Sequence, residues 1–159
     1  MGGAQQVTSV EANKNILNWG RNNFELNSTD PQNAIFLCRD SLIYLDQCKS
    51  KGLKFDLILC EAPSFFRGEK SIFKIEKNIE ALLEKCFYCL NQQGDIIFSV
   101  SSEELNVVEI NQAIKNVQKK LKLTNLEINL IQSSLDFELP GKKMLLKSFL
   151  LKLNPILTT

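Results

Sequence analysis

Three acidic residues each come at or just after the end of a predicted strand: Glu11, Asp40 and Glu61. A carboxylate in such a position can accept hydrogen bonds from both hydroxyls of a ribose, as nucleotide-like ligands require. Glu11 and Asp40 also allow a second interpretation, because a carboxylate at a helix N-terminus caps the helix or stabilises its dipole. From the sequence alone, both interpretations stay open.

The segment Glu61-Ala62-Pro63-Ser64-Phe65-Phe66 directly follows the apolar run 55–60. We expect it to be a loop whose carbonyls and Glu61 carboxylate point into a cleft at the strand ends. Pro63 would stiffen that loop, and the two phenylalanines are suited to stack on a flipped base. The alternative is a solvent loop with both phenylalanines packed into the core.

Composition excludes several classes of chemistry. The chain has no histidine, which removes imidazole bases, Ser/His and Cys/His nucleophile pairs and the commonest zinc ligand. Its net charge of +1 gives no general attraction to phosphate backbones. We expect the cysteines to be reduced thiols in a cytoplasmic protein, and the pair Cys86 and Cys89 to be core packing rather than a redox or zinc half-site. No metal and no membrane span are implied.

The elements that must position these residues alternate along the chain. Apolar runs predict strands at 6–10, 34–38, 55–60, 96–100, 125–132 and 144–153, and three- to four-residue spacing predicts helices at 12–26, 41–51, 75–90 and 103–122. The near-continuous run 55–60 predicts a strand buried on both faces. This order predicts an α/β fold with a mostly parallel sheet and an antiparallel C-terminal hairpin. Glu11, Asp40, Glu61 and Ser102 would share the rim formed by the carboxyl ends of the strands.

Several blocks of the sequence resemble one family of enzymes. The blocks are Val10-Glu11 with Trp19-Gly20-Arg21-Asn22-Asn23-Phe24-Glu25-Leu26-Asn27, Leu37-Cys38-Arg39-Asp40, Lys54-Phe55-Asp56-Leu57-Ile58, Ala62-Pro63-Ser64-Phe65, and Leu139-Pro140-Gly141-Lys142-Lys143 running into Leu145-Leu146-Lys147. In this order they are similar to class I S-adenosylmethionine-dependent methyltransferases, specifically the large-subunit ribosomal RNA cytosine-5 methyltransferases that carry a PUA domain. The resemblance spans nearly all of residues 1–159.

The resemblance implies a Rossmann-like methyltransferase fold, S-adenosylmethionine as cofactor and RNA, in particular ribosomal RNA, as substrate. It assigns cofactor binding to Glu11, Asp40 and Ser41, catalysis to Glu61, Pro63 and Ser102, and substrate binding to Ser64 and Phe65. It also implies that residues 1–159 are the C-terminal part of the catalytic domain, without the first strand and its glycine-rich loop. A missing N-terminal segment or a partner chain would then complete the sheet.

The sequence departs from the family pattern at two places. The Asp-Pro of the motif is Glu61-Ala62 here, and the family's catalytic cysteine aligns with Ser101 or Ser102. Cytosine-5 methylation needs a thiolate that adds to the ring, and a serine without a histidine base is a poorer nucleophile. We therefore do not expect cytosine-5 chemistry here. Because the glycine-rich loop is missing, we expect this chain alone to be inactive. The alternatives are a non-catalytic methyltransferase-fold module for RNA binding or interaction and, ranked last, a nicotinamide-dependent oxidoreductase.

Overall fold

A computed structural model describes residues 3–27, 33–67, 72–132 and 146–155. The strands are β1 (Val7–Glu11), β2 (Ala34–Cys38), β3 (Phe55–Pro63), β4 (Phe65–Arg67), β5 (Ile72–Lys74), β6 (Leu90–Ser101), β7 (Leu126–Ile131) and β8 (Leu146–Leu153). The helices are α1 (Lys14–Leu26), α2 (Ser41–Lys51), α3 (Ile75–Tyr88) and α4 (Val107–Leu121). The chain divides into two compact units, residues 1–47 and 48–159, with the boundary inside α2.

The first unit is a parallel pair of strands with one helix packed on it. β1 pairs with β2 from Val7 opposite Ala34 to Glu11 opposite Cys38. Asn13 caps α1 by accepting hydrogen bonds from the backbone N–H groups of the first turn. The inner face of α1 meets Phe36, whose ring lies edge-on to Phe24 at 5.4 Å between centroids. An aromatic pair in this geometry fixes the helix on the sheet.

The second unit contains a four-stranded sheet in the order β3-β6-β8-β7. β3 and β6 are parallel, whereas β8 runs antiparallel to both β6 and β7. The core of this unit lies between the sheet and helices α3 and α4, and its fully buried side chains include Phe98, Phe149, Leu83, Ile110 and Leu151. The predicted antiparallel C-terminal hairpin is therefore confirmed in β7 and β8. Residues 139–145, which belong to the last block of the family resemblance, lie outside the described residues.

Predicted element positions are confirmed for β2 and α2, and Gly52 ends α2 with a φ of 66°. Other boundaries were wrong. β6 begins at Leu90, six residues before the predicted start at Ile96, and residues 91–94 form a bulge in which four residues of β6 lie opposite Asp56 alone. α4 begins at Val107, four residues later than predicted, because Asn106 and Glu109 form a capping box there. The segment 72–74, for which no element was predicted, is strand β5.

Two predictions about β3 were also wrong. The strand does not stop at Cys60 but runs to Pro63, so Glu61-Ala62-Pro63 is paired strand and not a rim loop. Nor is β3 buried on both faces, since Leu57 is 53% and Leu59 is 68% exposed. Among the described residues β3 hydrogen-bonds to β6 alone, and β1 hydrogen-bonds to β2 alone. Each of these two strands therefore has one edge without a strand partner.

Candidate functional site

Glu11 and Asp40 lie at neighbouring strand ends in the first unit. Glu11 is the last residue of β1, directly opposite Cys38 at the end of β2, and Asp40 follows β2 after one residue. The backbone of the two ends is joined where the N–H of Arg39 donates to the Glu11 carbonyl at 3.1 Å. The two carboxylates therefore share one end of a parallel strand pair, as the sequence predicted for these two residues.

Local hydrogen bonds already use part of each carboxylate. Glu11 Oε1 accepts from the backbone N–H of Asn13 at 2.7 Å. Asp40 Oδ1 accepts from the N–H of Leu42 at 2.8 Å and more weakly from that of Ile43 at 3.4 Å, so Asp40 caps α2. Ser41 is the exposed first residue of that helix. The capping interpretation of Asp40 is thus confirmed, and no described residue donates to the second oxygen of either carboxylate.

A cleft of about 360 Å³ lies at the carboxyl ends of β3 and β6 in the second unit. Its lining combines hydroxyl groups and carboxylates: Ser64, Glu76, Ser101, Ser102, Glu103 and Glu104. The parallel pairing of Pro63 with Ser101 brings the two strand ends together and so places this cleft. Two predicted site residues, Ser64 and Ser102, meet here.

Ser102 is the most enclosed residue of the cleft. It is 3% exposed, and its Oγ accepts a hydrogen bond from the backbone N–H of Glu104 at 3.1 Å. Its carbonyl accepts a hydrogen bond from the ammonium group of Lys147, which is itself buried. The contacts of Ser102 therefore hold the loop between β6 and α4, which carries Glu103 and Glu104.

The other predicted residues surround the same strand ends. Glu61 is exposed on β3 opposite Ser99, two residues before the strand ends at Pro63. Phe65 is 50% exposed and lies opposite Lys74 in the β4–β5 hairpin, whereas Phe66 is half-buried opposite the buried Phe73. The two aromatic residues thus divide between the two alternatives that the sequence left open, one exposed and one packed.

Sequence reasoning missed four members of this site: Glu76, Glu103, Glu104 and Lys147. The three acidic residues fall at the starts of predicted helices. The periodicity of a helix does not show which end of a strand lies beside its first turn. A signal did exist for Lys147. It precedes Phe149 by two residues and Leu151 by four, so the two-residue period of a strand places it on the same buried face. A lysine in such a phase is either a strand-end cation or a buried donor.

The described ranges contain neither a membrane-spanning helix nor a metal-binding cluster. No described helix is long and apolar enough to cross a bilayer. No group of three or more Cys, Asp or Glu side chains in the described ranges is arranged to hold a metal ion. None of the five cysteines, each within a described range, forms a disulfide. Cys86 and Cys89 are buried, as predicted for core packing, and so is Cys48.

Comparison with known sequences identifies similar ribosomal RNA methyltransferases. The chain is 30% identical over 129 residues to the large-subunit ribosomal RNA methyltransferase K/L of Shewanella loihica, which covers 76% of this chain and 17% of that protein. It is 28% identical over 124 residues to methyltransferase K of Neisseria meningitidis serogroup B, with 75% of this chain and 35% of that protein covered. The chain thus spans about a sixth to a third of the length of these relatives. No protein-family model matches it.

Solved structures agree on the fold. A methyltransferase complexed with S-adenosylhomocysteine superposes with a TM-score of 0.85 at 27% identity, covering 96% of this chain and 40% of that one. An S-adenosylmethionine-dependent methyltransferase from Streptococcus mutans gives 0.82 at 25% identity, covering 96% of this chain and 39% of that one. The chain therefore has the Rossmann-like fold of S-adenosylmethionine-dependent methyltransferases, as predicted.

Proposed function

We propose that the chain is part of the catalytic domain of an S-adenosylmethionine-dependent methyltransferase that acts on ribosomal RNA. The observation that carries the proposal is the superposition, over 96% of the chain, on a methyltransferase complexed with S-adenosylhomocysteine. The substrate follows from the sequence relatives, whose names specify large-subunit ribosomal RNA. We also propose a cytoplasmic location, which suits a ribosomal RNA substrate and cysteines that form no disulfide.

The first unit offers groups that suit an adenosyl ligand. Glu11 keeps one carboxylate oxygen to which no described residue donates, at the end of a parallel strand where a ribose is commonly held. Asp40 keeps a carboxylate oxygen to which no described residue donates, and the exposed Ser41 lies beside it at the neighbouring strand end. We assign these three residues to the cofactor, which when bound supplies the methyl group.

The second unit offers groups for the target base. Ser64 lines the cleft, the exposed Phe65 follows it in the chain, and we assign both to base contact. Glu61 and Pro63 shape the adjoining end of β3, and Ser102 holds the loop that carries two cleft carboxylates. None of the cleft-lining residues is a cysteine, so this cleft gives no thiolate for addition to a pyrimidine ring. We therefore do not extend the proposal to cytosine-5 methylation.

The unpaired strand edges support the proposal that the domain is partial. β1 and β3 each lack a strand partner on one side among the described residues, and the neighbouring apolar side chains Leu57 and Leu59 are exposed. Unpaired N–H and C=O groups and exposed apolar residues on a strand favour pairing with a further strand. We propose that a preceding segment or a partner chain supplies that strand with a glycine-rich turn.

A non-catalytic module for RNA binding is the second candidate. It is favoured by the serines that stand where the resembled family has its catalytic cysteine, and by the hydrogen bonds that Ser102 accepts from Glu104 and Lys147. Under this alternative, RNA binding is independent of S-adenosylmethionine. It would also be unchanged by Glu11→Ala.

Isothermal titration with S-adenosylmethionine separates the two candidates. We expect a form of the chain extended upstream to bind the cofactor, Glu11→Ala to abolish that binding, and Glu25→Ala to leave it intact. Glu25 is an exposed carboxylate of the same unit, so it controls for the change in charge. Transfer of a labelled methyl group to ribosomal RNA is the second measurement. An extended form that binds no cofactor would contradict the proposal.

A further inference from the structure

The β4–β5 hairpin has two faces of different character. Phe66 and Phe73 pair across the hairpin and turn inward, half-buried and buried respectively. The flanking pairs, Phe65 with Lys74 and Arg67 with Ile72, all have exposed side chains. Because side chains alternate along a strand, these four lie on one face, which we call the outer face of the hairpin.

The outer face adjoins the cleft at both ends of the hairpin. Ser64 immediately precedes β4, Glu76 follows β5 after one residue, and both line the cleft. The N–H of Ile75 donates to the Ser64 carbonyl at 3.1 Å, which closes the base of the hairpin. A ligand that enters the cleft with a chain attached would therefore pass this face.

Charge distinguishes the outer face from the cleft. Arg67 and Lys74 are exposed, and neither contacts an acidic side chain among the described residues. Lys74 lies at the N-cap of α3, where the helix dipole disfavours a cation, and its side chain makes no capping hydrogen bond. Stability of α3 thus gives no reason for a lysine here. Among the described residues, by contrast, the cleft lining has three carboxylates and no lysine or arginine.

We propose that the outer face of the hairpin binds a single-stranded segment of the RNA substrate, with Arg67 and Lys74 on phosphates and the Phe65 ring stacked on a base. This inference rests on the proposed function, which makes RNA the substrate. Cations interleaved with an aromatic ring are the combination that holds single-stranded nucleic acid. The carboxylates of the cleft repel phosphate but accept hydrogen bonds from amino groups, so a base enters the cleft while its backbone stays on the hairpin.

The size of the outer face favours RNA over a protein partner. It comprises four side chains on strands of three residues each, far less than the roughly 1,000 Å² that a specific protein interface needs. Only two of the four, Phe65 at 50% and Ile72 at 54% exposure, are apolar. A contact with a polyanion draws its binding energy from the two cations and therefore needs less area.

The test is binding of a fluorescein-labelled single-stranded RNA of about 12 nucleotides, followed by fluorescence anisotropy at several salt concentrations with the full chain. We expect the Arg67→Gln/Lys74→Gln double variant to bind more weakly and to lower the salt slope by about 1.4, or about 0.7 for each phosphate that the variant no longer neutralises. The matched double variant Lys115→Gln/Lys119→Gln, on the exposed face of α4, should keep the wild-type slope.

The stacking contact is tested separately at Phe65. We expect Phe65→Ala to weaken binding by roughly 5- to 150-fold, Phe65→Trp to restore it and Phe65→Leu to fail, because leucine is apolar but cannot stack. Equal salt slopes for the two double variants, or wild-type affinity for Phe65→Leu, would overturn the inference. Binding to anionic vesicles with no binding to RNA would overturn it as well. Each of these results leaves the proposed function to the cofactor titration, which does not involve the hairpin.

Discussion

Lys147 on β8 donates a hydrogen bond from its ammonium group to the backbone carbonyl of Ser102, the residue that follows β6. The side chains are 6% and 3% exposed, so the contact is shielded from water. It joins the antiparallel part of the sheet to the loop that lines the cleft. The position of the cleft loop therefore depends on a strand more than 40 residues further along the chain.

Lys147→Met is expected to lower the free energy of unfolding by about 1 to 3 kcal/mol, the usual cost of a buried acceptor that loses its donor. Methionine keeps the length of the apolar stem, so the change reports on the hydrogen bond rather than on packing. Urea unfolding followed by circular dichroism measures it. Lys152→Met, at a half-buried lysine of the same strand, should change the value by about 0.5 kcal/mol or less. Equal losses for the two variants would contradict the assignment.

Ser102→Ala removes the acceptor for the Glu104 N–H and should cost about 0.5 to 1.5 kcal/mol of stability. Ser101→Ala, at the neighbouring exposed serine, is the control and should be nearly neutral. Thermal unfolding of both variants gives the comparison. If Ser102→Ala matches Ser101→Ala in stability, the hydroxyl does not position the loop, and a direct role at the substrate becomes the better explanation.

Alanine substitutions at two glycines should change the stability of the protein in opposite directions. A Cβ at Gly94 would lie 2.8 Å from Leu90 side-chain atoms and 3.0 Å from the Asp56 carbonyl, so Gly94→Ala should destabilise by about 1 to 3 kcal/mol. A Cβ at Gly20 would meet the Phe36 ring at an ordinary 3.6 Å, inside helix α1. Gly20→Ala should therefore stabilise that helix by roughly 0.5 to 1 kcal/mol. An increase in melting temperature for both variants would show that the bulge at Gly94 rearranges to accept a Cβ.

The elements that sequence reasoning located well are those whose signals are local. The run 34–38 and the helix that Gly52 ends were located to the residue, because a turn or a glycine bounds each of them. The errors lie where long-range pairing decides. β3 extends to Pro63 and β6 starts at Leu90 because each strand pairs with the other, and that pairing leaves no mark on either segment alone.

Positions at strand ends were predictable, whereas positions that depend on tertiary contacts were not. Glu11 and Asp40 were placed at strand ends because an acid within two residues of an apolar run is visible in the sequence, and their role as cofactor ligands stays a prediction. The exposed Phe65 was found by type, but its partner Lys74 was not, because a three-residue strand gives too short an alternation to detect. The common crevice for Glu11, Asp40 and Glu61 stays a prediction.

The thiol of Cys86 makes stability depend on pH. Its hydrogen bond with the Cys60 thiol and its complete burial raise its pKa well above the usual value. The unfolded chain therefore releases this proton near pH 8.5, whereas the folded chain keeps it. Since the native state then binds more protons than the unfolded state, stability must fall as pH rises above about 8.5, by up to about 1.4 kcal/mol per pH unit. Below that pH the contribution is fully present.

Urea unfolding between neutral pH and about pH 10 measures this loss, and the variants isolate its source. Cys86→Ala should remove this part of the slope, because no thiol then titrates at the buried position. Cys60→Ala should reduce it, since the neighbouring thiol is the largest cause of the raised pKa. Cys38→Ala, at an exposed cysteine, should leave the slope at its wild-type value. Parallel pH profiles for Cys86→Ala and wild type would contradict a raised pKa for Cys86. They would mean that the folded chain releases the Cys86 proton as readily as the unfolded chain.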